Sequence, residues 1–128
     1  MPNTVLIADD DPVFRAWARA LVSRAGFKTL EASDGEEALQ VAGSGKPDLI
    51  LLDAALPVYL GTEVCEKLRQ APDTSNIPIV FITAWGRDLS ELHIDSDDLR
   101  AEGFLQKPAS AEALLHVVRR WASVGQAD

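Results

Sequence analysis

The chain has 128 residues, enough for one domain around one core, and its 47% hydrophobic and 25% charged content is that of a globular protein rather than a disordered one. A formal net charge of −8 argues against non-specific nucleic-acid binding and against docking on anionic membranes, both of which need basic charge. One cysteine, Cys65, excludes an internal disulfide, no basic region precedes an apolar run at Met1-Pro2-Asn3-Thr4, and no apolar stretch reaches membrane-spanning length, so a soluble cytoplasmic protein is expected.

The first apolar run is Val5-Leu6-Ile7-Ala8, followed by Asp9-Asp10-Asp11. Asp11 before Pro12 reads as a helix N-cap with proline at the first helical position. Phe14, Trp17, Ala18, Leu21 and Ala25 then recur at helical spacing, and Gly26 ends the pattern. Lys28 to Ala32 reads as a second strand. A second helix is expected from Gly35 to about Gly43, with Ala38, Leu39 and Ala42 inward and Ser33 or Asp34 as cap. Leu49 to Leu52 is a third strand, ending in Asp53. A third helix runs from Thr62 to about Ala71, with Val64 and Leu68 inward, and Pro72 stops it. Ile79 to Ile82 is a fourth strand, ending in Thr83.

The stretch from Arg87 to Glu102 carries six acids against two arginines, and a helix from about Asp88 to His93 followed by an acidic loop is expected. Gly103 to Gln106 is a weaker fifth strand, ending in Lys107-Pro108. A last helix spans Ala111 to about Ser123, capped by Ser110, with Leu114, Val117, Val118 and Trp121 inward. Residues 1–123 then form one domain, and 124–128 a short tail. Three strands are apolar throughout, as strands covered on both faces are. Strands alternating with helices imply right-handed crossovers and a doubly wound α/β parallel sheet.

In such a sheet ligands bind beyond the carboxyl ends of the strands. Asp9 and Asp10, Asp53, Thr83 and Lys107 all arrive at that edge from four separate segments. Crowded carboxylates raise one another's pKa unless a cation lies among them. An all-oxygen donor set with few carboxylates suits Mg²⁺, which keeps waters and takes a phosphate oxygen as a ligand. A carboxylate in such a cluster can attack phosphorus and become an aspartyl phosphate, with the hydroxyl and ammonium holding phosphoryl oxygens. Asp11 fits a structural cap better than a ligand.

These residues resemble the receiver domain of two-component response regulators, the CheY-like family. Val5-Leu-Ile-Ala-Asp9-Asp10-Asp11 is similar to its acidic pocket. Pro47-Asp48-Leu-Ile-Leu-Leu-Asp53-Ala-Ala-Leu-Pro57, followed by Gly61, is similar to its phosphorylation segment. Ile77 to Ala84 and Phe104-Leu-Gln-Lys107-Pro108 are similar to its fourth and fifth strands. The resemblance implies a flavodoxin-like five-stranded parallel sheet in order 2-1-3-4-5 with helices on both faces. It implies that Asp53 is the phosphoacceptor, that Asp10 binds Mg²⁺ directly and Asp9 through water, and that the Ala55 backbone carbonyl is a further ligand. Lys107 would contact the phosphoryl group and pair with Asp53 beforehand, and the bond before Pro108 would be cis. Thr83 and Phe104 would form the switch, moving the face built from helix four, strand five and helix five. The donor would be a sensor histidine kinase or a histidine phosphotransfer protein. The receiver of the signal would be a downstream target protein or a fused output domain, with no direct nucleic-acid or membrane contact.

Three positions depart from the family pattern. Leu60 stands where an acid often precedes the glycine, Ala55 has no polar side chain, and Trp85 is bulky. Either Ala55 and Trp85 make the site drier and slow hydrolysis of the aspartyl phosphate, or Trp85 packs elsewhere. The segment from Thr83 to Lys107 is slightly longer than usual and lacks a clear apolar stripe beyond Leu89 and Leu92, so a short, shifted or mobile helix four is expected. Two other functions compete with a phosphorylatable switch. One is a Mg²⁺-dependent phosphatase, which would want a second acid near the nucleophile where Ala54, Ala55 and Leu56 stand. The other is a degenerate receiver acting only as an interaction module, against which the complete set of polar residues counts. The expected protein is no enzyme beyond its own phosphotransfer and autodephosphorylation.

Overall fold

The computed structural model describes residues 3–83, 101–107 and 109–122. The elements in chain order are β1 (Thr4–Ala8), α1 (Pro12–Arg24), β2 (Lys28–Ala32), α2 (Gly35–Gly45), β3 (Leu49–Asp53), α3 (Gly61–Gln70), β4 (Ile79–Thr83), β5 (Gly103–Gln106) and α4 (Ala111–Ala122). The helix expected at 88–93, Trp85, the bond into Pro108 and the tail at 124–128 lie outside the described residues.

All four strand pairings are parallel, and the sheet order is β2-β1-β3-β4-β5, as expected from the sequence. Every residue of β3 and β4 is buried. Their pleat divides the side chains between two cores. Leu6, Ile50, Leu52 and Phe81 face α2 and α3, whereas Val5, Ile7, Leu51 and Ile82 face α1 and α4. This two-sided covering is why the central strands read as continuous apolar runs. The edge strand β2 buries only Ala32 fully and carries an exposed Lys28.

Local chemistry sets the helix ends. The Val13 amide donates to the Asp11 side chain at 3.0 Å, and the Glu37 amide donates to Asp34 at 2.8 Å, so Asp34 rather than Ser33 caps α2. The Ala113 amide donates to the Ser110 hydroxyl at 3.0 Å. α1 ends at Arg24, and Gly26 follows at φ 100°, a conformation that favours glycine. α2 runs two residues beyond its expected end at Gly43, because packing of Gly45 under Leu30 carries the helix through both glycines. The inward stripe of α1 includes Val22, fully buried and missing from the expected set, whereas Leu21 is only partly buried. Cys65 is fully buried in the α3 interface. Among the described residues no helix is long and apolar enough to cross a membrane.

Candidate functional site

The parallel register brings the carboxyl ends of β1, β3, β4 and β5 into one row. Asp9 follows β1 directly, Asp53 ends β3, Thr83 ends β4 and Lys107 follows β5. Asp9, Asp53 and Thr83 are buried, and Asp10 is exposed at the mouth. The structure therefore gathers all five residues that the sequence analysis places at this edge.

Asp9 is held at several atoms. Its amide extends the ladder to the Ala32 carbonyl at 3.0 Å, and its Oδ1 accepts from the Asp11 amide at 2.8 Å. Its carbonyl accepts from Arg15 Nη1 at 2.8 Å, and Arg15 Nε pairs with Glu31 at 3.1 Å. The other carboxylate oxygen, Oδ2, is buried, and among the described residues no hydrogen-bond donor is aligned on it. Its counter-charge is Lys107 Nζ at 2.7 Å.

Asp53 Oδ1 accepts from the Ala55 amide at 3.0 Å, which turns the chain immediately after the strand. Its Oδ2 lies 3.8 Å from Lys107 Nζ. The expected pairing of Lys107 with Asp53 is thus the longer of two contacts, and the ammonium sits closer to Asp9. Burial pushes the Asp53 carboxyl up to about 6. The Ala55 amide and Lys107 pull it down, and the Asp9 and Asp10 carboxylates push it further up.

The loop after Asp53 is fixed by close approaches. The Gly61 amide donates to the Ala54 carbonyl at 3.0 Å, and a Cβ at Gly61 would lie 2.3 Å from the Asp53 carbonyl oxygen. The Tyr59 amide donates to the Pro57 carbonyl at 2.9 Å, closing a three-residue turn on Val58. Val58 has φ 72° and is 66% exposed, a strained state for a β-branched side chain.

Carboxylate oxygens of Asp9, Asp10 and Asp53, one from each, all lie within 4.8 Å of one another. Among the described residues three carboxylates face one ammonium, so the cluster is short of positive charge. The donors are all oxygen, and the buried Asp9 Oδ2 is met by the Lys107 ammonium alone among the described residues. This donor set fits a small divalent cation.

The Lys107 amide donates to the Thr83 carbonyl at 2.7 Å, which ties β4 to the residue after β5. Phe104 on β5 is 47% exposed, its ring stacked on buried Phe81 with centroids 6.2 Å apart. Two residues join the site that the sequence analysis does not place there. Arg15 grips the Asp9 peptide, and Phe14, expected only as core, places its ring 4.5 Å from Lys107 Nζ. The only hint of either in the sequence is their place in the first turns after the acidic run.

The sequence profile described as "Response regulator receiver domain" matches residues 5–119. The response regulator MprA of Mycolicibacterium vanbaalenii is 37% identical over 119 residues, 93% of this chain and 50% of that protein. The polar-differentiation response regulator DivK of Brucella anthropi is 30% identical over 121 residues, 94% of this chain and 97% of that protein. The chain thus spans about half the length of MprA and nearly all of DivK. The crystal structure of the chemotaxis protein CheY4 of Vibrio cholerae superposes with a TM-score of 0.85 at 27% identity, covering 94% of this chain and 99% of that one. Sequence profile, relatives and sheet topology agree, and the chain belongs to the response regulator receiver domain family.

Proposed function

We propose that the chain is a phosphorylation-dependent signalling switch that accepts a phosphoryl group from a phosphohistidine donor onto Asp53. The observation that carries this reading is a buried carboxylate set beside two further acids, with Lys107 within reach and Thr83 on the neighbouring strand end. In the transfer, an Asp53 oxygen forms a bond to phosphorus while the phosphorus–nitrogen bond of the donor breaks, and its electron pair stays on the imidazole. The product is an acyl phosphate at Asp53.

Phosphoryl transfer needs positioning and charge compensation more than covalent help. The Ala55 amide orients the attacking carboxylate, and burial keeps it basic for a carboxylate yet ionised at neutral pH. Lys107 supplies a cation for the equatorial oxygens. Asp9, Asp10, Asp53 and the Ala55 carbonyl would hold Mg²⁺, which when bound neutralises charge on the transferring group. Phosphorylation then adds about −1.5 to −2 charges and three acceptor oxygens at Asp53. The Thr83 hydroxyl can donate to one of them. Movement of Thr83 would vacate space for the half-exposed Phe104 ring and change the face formed by β5, α4 and the segment before them. The partners would be a cytoplasmic histidine kinase or phosphotransfer protein on one side and a target protein or fused output domain on the other.

Incubation with acetyl phosphate and Mg²⁺, followed by intact mass measurement, tests the reading. We expect the mass of one phosphate on the wild-type chain, none on Asp53→Asn, and none without a divalent cation. A label that persists on Asp53→Asn removes Asp53 from the role. A wild-type chain that takes no label favours the pure interaction module, and sustained turnover of a generic phosphomonoester favours a phosphatase.

A further inference from the structure

We propose that Phe14 is a positioning residue for Lys107, the face of its ring holding the ammonium within reach of the Asp53 carboxylate. The inference rests on the phosphoacceptor reading above and adds to it a residue that carries no charge and no polar atom. Phe14 stands in the first turn of α1 and is buried against the core under β1 and β3. Its ring is wedged by Trp17, whose centroid lies 5.6 Å away at an interplanar angle of 49°, so it presents a fixed surface. Lys107 Nζ lies 4.5 Å from the ring centroid, 2.7 Å from Asp9 Oδ2 and 3.8 Å from Asp53 Oδ2. The lysine side chain is 22% exposed, so little water competes for the contact. An aromatic face attracts a cation through its quadrupole, most strongly where both partners are desolvated.

The role follows from the other two contacts. A lysine side chain is long and flexible, and carboxylates alone would hold its ammonium only while their charge is unshared. A cation held among Asp9, Asp10 and Asp53 would draw on that charge and weaken the Asp9 pairing. Attraction by the ring does not depend on the charge of the acids. Phe14 therefore keeps the ammonium at the pocket when Asp9 is otherwise engaged, and the move toward an oxygen on Asp53 is then short. A leucine at this position would fill the core and lack the attraction.

The test keeps ring shape nearly constant and varies the quadrupole. Phe14 in the full chain is replaced in turn by 4-fluoro-, 3,5-difluoro- and 3,4,5-trifluorophenylalanine. The rate of Asp53 labelling by acetyl phosphate is followed at saturating Mg²⁺, together with the thermal midpoint of each variant. We expect the rate to fall stepwise with fluorination, by about two- to five-fold over the series, while the midpoint stays level. Proton NMR gives a second readout independent of labelling. The Lys107 ε-methylene protons should be shifted upfield by the ring current both without and with Mg²⁺, and the shift should vanish in Phe14→Leu. A flat rate series, or Lys107 ε-protons at the position of the other lysines once Mg²⁺ is added, overturns the inference and leaves the receiver reading standing. A wild-type chain that takes no label overturns both.

Discussion

The two ends of the sheet treat charge in opposite ways. At the amino end, Arg69 and Glu102 form a partly buried tie across α3, β4 and the approach to β5. Arg69 pairs with Glu102 at 3.1 Å and donates to the Ser75 and Ile77 carbonyls at 2.9 and 2.7 Å, and the Ile79 amide donates to Glu102 at 2.7 Å. Charges cancel there and the polar atoms have partners. At the carboxyl end, three carboxylates share one ammonium, and an Asp9 oxygen lacks an aligned donor. The balanced end holds the fold, whereas the unbalanced end lowers stability and leaves room for a cation and a phosphoryl group. Stability changes at the two ends should therefore differ in sign.

The largest effect is expected at the amino end. Glu102→Ala removes the carboxylate that pairs with Arg69 at 3.1 Å and accepts from the Ile79 amide at 2.7 Å, and should cost about 3 kcal/mol in urea unfolding. A loss below about 1 kcal/mol would show that the tie is not what separates the two ends.

At the carboxyl end, removing a charge should help. Asp53 has its carboxyl raised to about 6 in the folded chain, against 3.8 ordinarily. Between those values the folded state binds more protons than the unfolded one, so this group's contribution to stability falls as pH rises through that window. Above it the buried carboxylate is fully charged and its cost is complete. Asp53→Asn should therefore stabilise the metal-free protein by about 2 kcal/mol at pH 7.5. The gain should shrink toward pH 4, and comparing the two chains by thermal unfolding at both pH values checks it. A gain independent of pH would trace to packing instead.

The smallest effect should come from the loop beside the acceptor. Val58→Gly relieves the positive φ and should stabilise by about 1 kcal/mol, because the exposed valine side chain gives up little burial. No change would mean that the turn relaxes around valine, and that stored strain does not distinguish this end from the other.

Much of the fold could be read from the residues. β3 and β4 stand out because both their faces are covered, and Asp11, Asp34 and Ser110 announce the helices they cap. The polar residues of the site were legible because each ends or follows a strand, and parallel strands deliver their ends to one edge. What stayed hidden depends on side-chain torsions or distant pairing. A lysine after β5 can reach either acid, and the folded packing sets its ammonium against the Phe14 ring and the buried Asp9 oxygen. Val58 is by type an extended residue, so nothing local foretells its turn. Arg69 and Glu102 lie 33 residues apart, and neither belongs to a motif.

The order of the elements along the chain also has a biosynthetic consequence. Asp9, Asp10 and Asp53 all precede Lys107, and 54 residues separate the last acid from the ammonium. At about 5–20 residues per second, a ribosome completes the acids several seconds before it adds the lysine. Leu105, Leu114 and Val118, which close the core beneath α1, are made within a dozen residues of that lysine. For a nascent chain, the counter-charge and this layer of packing come together, so the acid pocket can close only after α4 has been made.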